Sequence, residues 1–259
     1  MCFLKGFRSQ VTSYRLQFAS YWLLIFFLGF SLGSCEKNNC LSSGGDIVQE
    51  ERVLEPFQNI ETYNNFEIYL KNDTVHKVEI KAGDKLIPFI ETEVENNVLT
   101  IKDLNKCDFL KGYDTKKLYI SVDTLKEIII NEASDLYTVD TFKVHSLKVK
   151  FLSQLGYCDL IVNAHVFQLQ IWYASGDFKV GGNVYSAYLD AESTSFIYAE
   201  GLNNMGCRVS NNSMGDCYVK AGKWMYYEIK DSGNIYYSGT PDTIIVEDHS
   251  GTGQFIKVN

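Results

Sequence analysis

A chain of 259 residues, 46% hydrophobic and 22% charged, can bury a core of its own and is too apolar to stay disordered. Its net charge of −8, with Arg52 and Arg208 the only arginines beyond residue 34, excludes a nucleic-acid binder, because phosphate contacts draw on Lys and Arg. No phosphate loop, H-E-x-x-H or dinucleotide fingerprint occurs, which removes those chemistries.

Residues 1–34 carry Lys5, Arg8 and Arg15 and no acid. They lead into the apolar run Tyr21–Phe30, so a basic n-region precedes an h-region. The run is well short of the ~20 residues a spanning helix needs, and Ser31, Gly33 and Ser34 end it. Leu32-Gly33-Ser34-Cys35 then resembles the lipobox of bacterial lipoproteins, which implies cleavage before Cys35 and a lipid on its sulfur. The expected organisation is a signal peptide over 1–34, a lipidated Cys35 with a flexible tether over 35–49, and one domain over 50–259. Loss of the signal takes the net charge to about −11. Acyl chains contribute ~0.8 kcal/mol per buried CH₂, so the expected partner of Cys35 is a membrane, and the expected location is the cell envelope, at the outer membrane.

Five cysteines remain after Cys35: Cys40, Cys107, Cys158, Cys207 and Cys217. An odd, irregularly spaced set argues against a disulfide framework in a chain of this length. Cys158, Cys207 and Cys217 read as small buried apolar residues, with Cys207 and Cys217 the one pair to test for a bridge. His76, His145, His165 and His249 lie far apart along the chain, so neither a metal nor a cofactor is expected.

Strand patterns begin near Glu50: Phe66–Leu70, His76–Ile80, Val98–Lys102 and Lys117–Val122 alternate or run apolar between Asn, Asp and Gly. One helical turn is expected at Asp84–Ile87, stopped by Pro88. Residues 50–124 form an irregular first part, and 125–259 repeat.

The repeat is carried by short polar turns followed by an apolar residue. They are Ala133-Ser-Asp-Leu136, Tyr157-Cys-Asp-Leu160, Ser175-Gly-Asp-Phe178, Ser193-Thr-Ser-Phe196, Met214-Gly-Asp-Cys217, Ser232-Gly-Asn-Ile235 and Thr252-Gly-Gln-Phe255. Their third positions step by 24, 18, 18, 21, 18 and 20 residues, a degenerate period of about 20. Strand alternation puts Leu147, Val149 and Phe151, then Phe167, Leu169, Ile171 and Tyr173, then Met225, Tyr227 and Ile229 inside. Leu160, Val162, Phe178, Val180, Ile235 and Tyr237 are expected inside after the turns. A unit this short cannot bury its own apolar face, so the predicted fold is all-β, a right-handed β-helix of stacked rungs. A β-sandwich of hairpins is the competing architecture.

The order of these features resembles the GIN-domain family of auto-transporter adhesin heads, common among lipoproteins of Bacteroidetes-type bacteria. The resemblance runs from Pro56-Phe-Gln-Asn-Ile-Glu-Thr-Tyr63 through Leu86–Lys102 to Ser250-Gly-Thr-Gly-Gln-Phe-Ile-Lys257. It implies a β-helix-like fold, surface placement and an adhesin-like role, and it brings no binding residue. Asp103–Gly112 looks inserted, and the Tyr185–Gly206 rung lacks the Gly-Asp turn.

Three roles are in view. A non-enzymatic contact scaffold, adhesin-like and meeting a surface glycan or protein, is preferred. A polysaccharide lyase or glycosidase would need convergent carboxylates, for which Asp135, Asp159, Asp177 and Asp216 would stack along one edge. The same row could be read as a calcium ladder, but it is more simply turn chemistry. A carbohydrate-binding module would use exposed aromatics of the last rungs, with Trp172, Tyr218, Trp224, Tyr226 and Tyr236 as candidate contacts.

Overall fold

The computed structural model describes residues 44–105 and 116–258, and strand dominates it. The first part holds β1 (Ile47–Val53), β2 (Asn59–Thr62), β3 (Glu67–Asn72), β4 (Lys77–Gly83), β5 (Ile90–Glu95), β6 (Val98–Asp103) and β7 (Lys117–Val122). Then come β8 (Glu127–Ile130), β9 (Ser134–Thr138), β10 (Phe142–Lys143), β11 (Ser146–Phe151), β12 (Gly156–Ile171), β13 (Gly176–Ser193), β14 (Ser195–Ala199) and β15 (Leu202–Asn203). The chain finishes with β16 (Gly206–Ser213), β17 (Cys217–Ala221), β18 (Trp224–Ile229), β19 (Ile235–Gly239), β20 (Thr243–His249) and β21 (Phe255–Lys257).

From β8 onward the chain coils through about seven turns spaced about 20 residues apart, the predicted solenoid. Two parallel sheets form its main faces. On the first, Ile128, Val149, Leu169, Leu189 and Val209 lie one above another, with Tyr227 next. On the second, Leu136, Cys158, Phe178, Ile197, Cys217 and Ile235 do the same. These residues are buried, because alternation sends every second side chain inward and the next rung covers what one rung leaves open. At about 25 cal/mol per Å² of apolar surface, this shared burial is what holds so short a repeat together.

Between the faces, β10, the middle of β12, the middle of β13 and β15 make a short third parallel strip. An asparagine ladder lines it. Asn183 Nδ2 donates to Asn163 Oδ1 at 3.2 Å, and Asn203 Nδ2 donates to Asn183 Oδ1 at 3.1 Å. Gly182 turns this corner at φ +112°, where a Cβ would stand 2.2 Å from the Val162 carbonyl oxygen.

The irregularity before residue 125 lies in chain order and in the antiparallel strands that close this end. The β2–β3 segment is a regular rung, stacked in parallel on β8 and β9. Its other side is covered by β6 and β7, which come later in the chain. The chain therefore makes its second rung, builds the first from β6 and β7, and crosses back over residues 123–126 to start the third at β8. Antiparallel strands close this end: β5 against β6, and β4 then β1 against β7. Beneath them Lys116 Nζ meets Asp103 Oδ2 at 2.7 Å, with both side chains buried.

Several expectations are corrected. Pro88 lies within a short 3-10 turn, Ile87–Phe89, rather than ending one, because a proline in a first turn has no N–H to lose. β1 starts at Ile47, inside the stretch read as tether. Tyr173 does not face inward: β12 ends at Ile171, and Tyr173 takes φ 65° in the turn with 71% of its surface exposed. Cys158, Cys207 and Cys217 are, by contrast, the buried free residues they were expected to be, and Cys207 and Cys217 form no bridge. Burial pushes the Cys207 thiol up to about 12. Finally, His145 and His165 are not far apart: one rung separates them and their rings stack at 5.4 Å.

Candidate functional site

The turn carboxylates do not form the row expected of them. Asp135 is in register with Tyr157, Tyr157 with Asp177, Asp177 with Phe196, Phe196 with Asp216, and Asp216 with Asn234. Asp159 is displaced by two residues and aligns with Tyr137 and Lys179. From Asp135 onward acids thus alternate with aromatics, two rungs apart, but on its other side Asp135 is in register with Glu67, and burial followed by the Glu67 charge raises the Asp135 carboxyl. Asp216 Oδ1 accepts hydrogen bonds from the Asn234 backbone N–H at 2.7 Å and from Asn234 Nδ2 at 3.0 Å, a turn-closing role. Among the described residues no three of His, Cys, Asp and Glu converge as a metal's ligands would. The string Gly29-Phe-Ser-Leu-Gly33, which has the spelling of a nucleophile elbow, lies outside the described residues, as does Cys35.

Outward aromatics on the second face form two ladders. Tyr119, Tyr69 and Tyr137 stack with centroid spacings of 4.7 and 4.9 Å, and Tyr198, Tyr218 and Tyr236 with spacings of 5.4 and 4.9 Å. Asp159 and Lys179 occupy the two rungs between them. Tyr218 and Tyr236 are therefore brought together, half-buried, with ring faces covered by the stack and edges left outward.

Trp224 and Tyr226 lie on the opposite, first face, where their rings meet edge to face at 5.6 Å. With Tyr188, Arg208, Thr243 and Glu247 they line a depression of about 460 Å³. Register explains the grouping, since Tyr188, Arg208 and Tyr226 are successive outward residues of β13, β16 and β18. Arg208 is held by three carboxylates: Nε to Glu247 at 2.7 Å, a terminal nitrogen to Glu228 at 3.1 Å and the other to Asp190 at 3.4 Å. Hydrogen bonds from Ser210 and Lys230, aided by Arg208, hold the Glu228 carboxyl below its ordinary value. Burial raises that of Asp190, despite its bonds to Gln170 and Arg208.

Chemically, this patch offers aromatic surfaces for stacking and hydrogen-bonding groups around them, with its one arginine already engaged by acids. Such an arrangement suits a neutral polyhydroxylated ligand better than a uronate. Trp172, 41% exposed, sits in a corner turn away from both clusters, so the five candidate aromatics divide among three places. Tyr188, Arg208, Glu228, Asp190 and Glu247 were missed because the repeat was anchored on turns. Stepping back 18 and then 20 residues from Tyr226 reaches Arg208 and Tyr188, and the same steps from the next outward residue of β18, Glu228, reach Ser210 and Asp190.

A filled β-solenoid whose chemistry lies on its outer faces is the class these features define. The chain belongs to the family described as "Putative auto-transporter adhesin, head GIN domain", which matches residues 56–241, and the resemblance seen in the sequence is thereby confirmed. Solved structures share the fold. A "putative adhesin" from Bacteroides fragilis is 18% identical, with 82% of this chain and 97% of that one covered and a TM-score of 0.71. A "Putative lipid binding protein" from Parabacteroides distasonis is 18% identical over 84% of this chain and 98% of its own, with a TM-score of 0.60. A "putative adhesin" from Parabacteroides merdae is 15% identical over 84% and 98%, with a TM-score of 0.53. No curated protein matches the sequence. The adhesin-like family points to a cell-surface or envelope protein, and among the described residues no helix is long and apolar enough to cross a membrane.

Proposed function

We propose that this protein is a non-enzymatic, adhesin-like contact scaffold of the outer membrane, held by lipid on Cys35, that meets surface glycans through the depression around Trp224 and Tyr226. The observation that carries the reading is the pair of half-exposed rings beside Tyr188, Thr243 and Glu247 on an otherwise flat sheet. Sugar rings present C–H faces that stack on aromatics and hydroxyls that bond to carboxylates. The carboxylates here are tied to Arg208 and to one another's partners, an arrangement for orienting a ligand rather than for passing protons to it. The lipobox-like Leu32–Cys35 supports the anchor.

A glycan array probed with the intact protein tests the binding site. Trp224→Ala with Tyr226→Ala is expected to weaken the strongest signals by about tenfold or more, since each stacked ring contributes on the order of 1 kcal/mol. Undiminished binding sinks the assignment of this patch, and release of cleaved sugar sinks the non-enzymatic reading. The anchor is tested apart from it by mass spectrometry of the N-terminal peptide, expected to begin at an acylated Cys35.

A further inference from the structure

The four histidines divide into two kinds. His76 has both ring nitrogens engaged: Nδ1 accepts the Phe57 backbone N–H at 3.2 Å, and Nε2 stands 3.0 Å from Asp123 Oδ1. His249 Nε2 likewise meets the Gly253 carbonyl oxygen at 2.9 Å. The rings of His145 and His165 make no hydrogen bond to other described residues, and both side chains are exposed. Their nitrogens are left to solvent, where each neutral imidazole offers one lone pair.

The solenoid sets these two side by side. The His145 carbonyl oxygen accepts from the backbone N–H of His165 at 2.9 Å and of Val166 at 3.2 Å, which pins the two residues on neighbouring rungs. Their rings lie face to face, with centroids 5.4 Å apart and planes 10° from parallel. Tyr185, one rung further, covers the opposite face of the His165 ring at 4.8 Å and 12°. His165 is thus held between two rings, whereas exposed His145 ends the stack and has room to swing. Two metal–nitrogen bonds of about 2.0–2.1 Å require the two nitrogens to stand within about 4 Å of each other. A tilt of His145 toward His165 achieves this, since the backbones are already only about 4.8 Å apart.

We propose that His145 and His165 together bind a late divalent transition metal, copper(II) most tightly, as a bidentate imidazole site whose remaining positions hold water. Imidazole nitrogen suits copper, nickel and zinc, and for a given set of ligands affinity peaks at copper. No third His, Cys, Asp or Glu converges on the pair among the described residues, so calcium and magnesium, which need oxygen ligands, gain nothing here. The site shares no residue with the patch around Trp224: His165 lies three rungs from it, counted through Val166, Ser186, Gly206 and Trp224. Separation along the chain argued against a metal, and the 20-residue period cancels that separation for this pair.

Calorimetric titration of the full-length chain in detergent, without a histidine tag and with reactive thiols alkylated, tests the site with nickel(II) and copper(II). The unaltered protein is expected to bind one ion of either kind, copper(II) more tightly. Pulsed electron paramagnetic resonance of the copper form is expected to show two coordinated imidazoles. His145→Ala and His165→Ala are each expected to weaken binding by about tenfold or more, because losing one of two linked donors forfeits the chelate. Both exposed substitutions are expected to retain the circular dichroism spectrum, and His249→Gln to leave the affinity unchanged. An unaltered chain that takes up neither ion overturns the proposal. So does binding that survives both alanine substitutions or falls with only one of them, and so does a copper signal from a single imidazole.

Discussion

Thr62 shows how strictly each inward position is tested by its neighbours. It lies in a core column between Ile101 and Ile130, 1% exposed, and its hydroxyl finds no hydrogen-bond partner among the described residues. A buried unpaired hydroxyl costs about 1–3 kcal/mol, so Thr62→Val is expected to raise the unfolding free energy by about 1 kcal/mol in a denaturant titration. A loss of stability would mean that the hydroxyl is satisfied. Asn211 is the counterexample: fully buried in an apolar column, it donates to the carbonyls of Gly215 at 3.0 Å and Asn234 at 3.2 Å and so closes the turn that follows. Most inward residues were legible, because Val149, Leu169 and their counterparts are apolar in a two-residue alternation. Asn211 was not, because a polar side chain that serves a neighbouring rung has no signature in its own.

At the level of strands and turns, the period was legible and its frame was not. Placing Asp159 and Ser195 in the turn series shifted two rungs, since Asp-Leu after Cys158 imitates the Asp-Phe of the next turn; Tyr157 and Phe196 hold those places. Corners depend on single residues. Gly182→Ala forces both a positive φ and a close approach to the Val162 carbonyl, and is expected to cost about 2 kcal/mol or more, read as a lowered melting temperature. Unchanged melting would mean that the corner relaxes. The tyrosine ladders add a pH dependence. Burial, followed by the acids Glu61 and Glu67, raises the phenols of Tyr63 and Tyr69; burial, with Asp177 or Asp216, raises those of Tyr198 and Tyr218. A folded-state value above the unfolded 10.0 leaves the stability intact below that pH and removes it as pH rises further. Denaturant midpoints are therefore expected to fall between about pH 9 and about pH 11, and a flat profile contradicts the ladder's desolvation.

For the molecule as a whole, the solenoid was readable because a 20-residue unit cannot cover its own apolar side and the apolar residue after each turn recurs. The order of rungs was not, because parallel pairing of β2 with both β6 and β8 leaves no mark on local pattern. The patch proposed to bind was half legible. Trp224 and Tyr226 stood out as aromatics, whereas Arg208 and its carboxylates come together only through register. Such a body is rigid along its length and presents a fixed face, which suits a contact role once it is tethered. The direct measurement is attachment of intact cells to a surface coated with the glycan that the array selects, comparing the unaltered protein with Cys35→Ser and with Trp224→Ala plus Tyr226→Ala. Attachment is expected to fall to the level of a deletion strain in both variants, with the aromatic variant still in the membrane fraction and the Cys35→Ser protein gone from it. Cells carrying the aromatic variant that attach as well as the original would contradict the account.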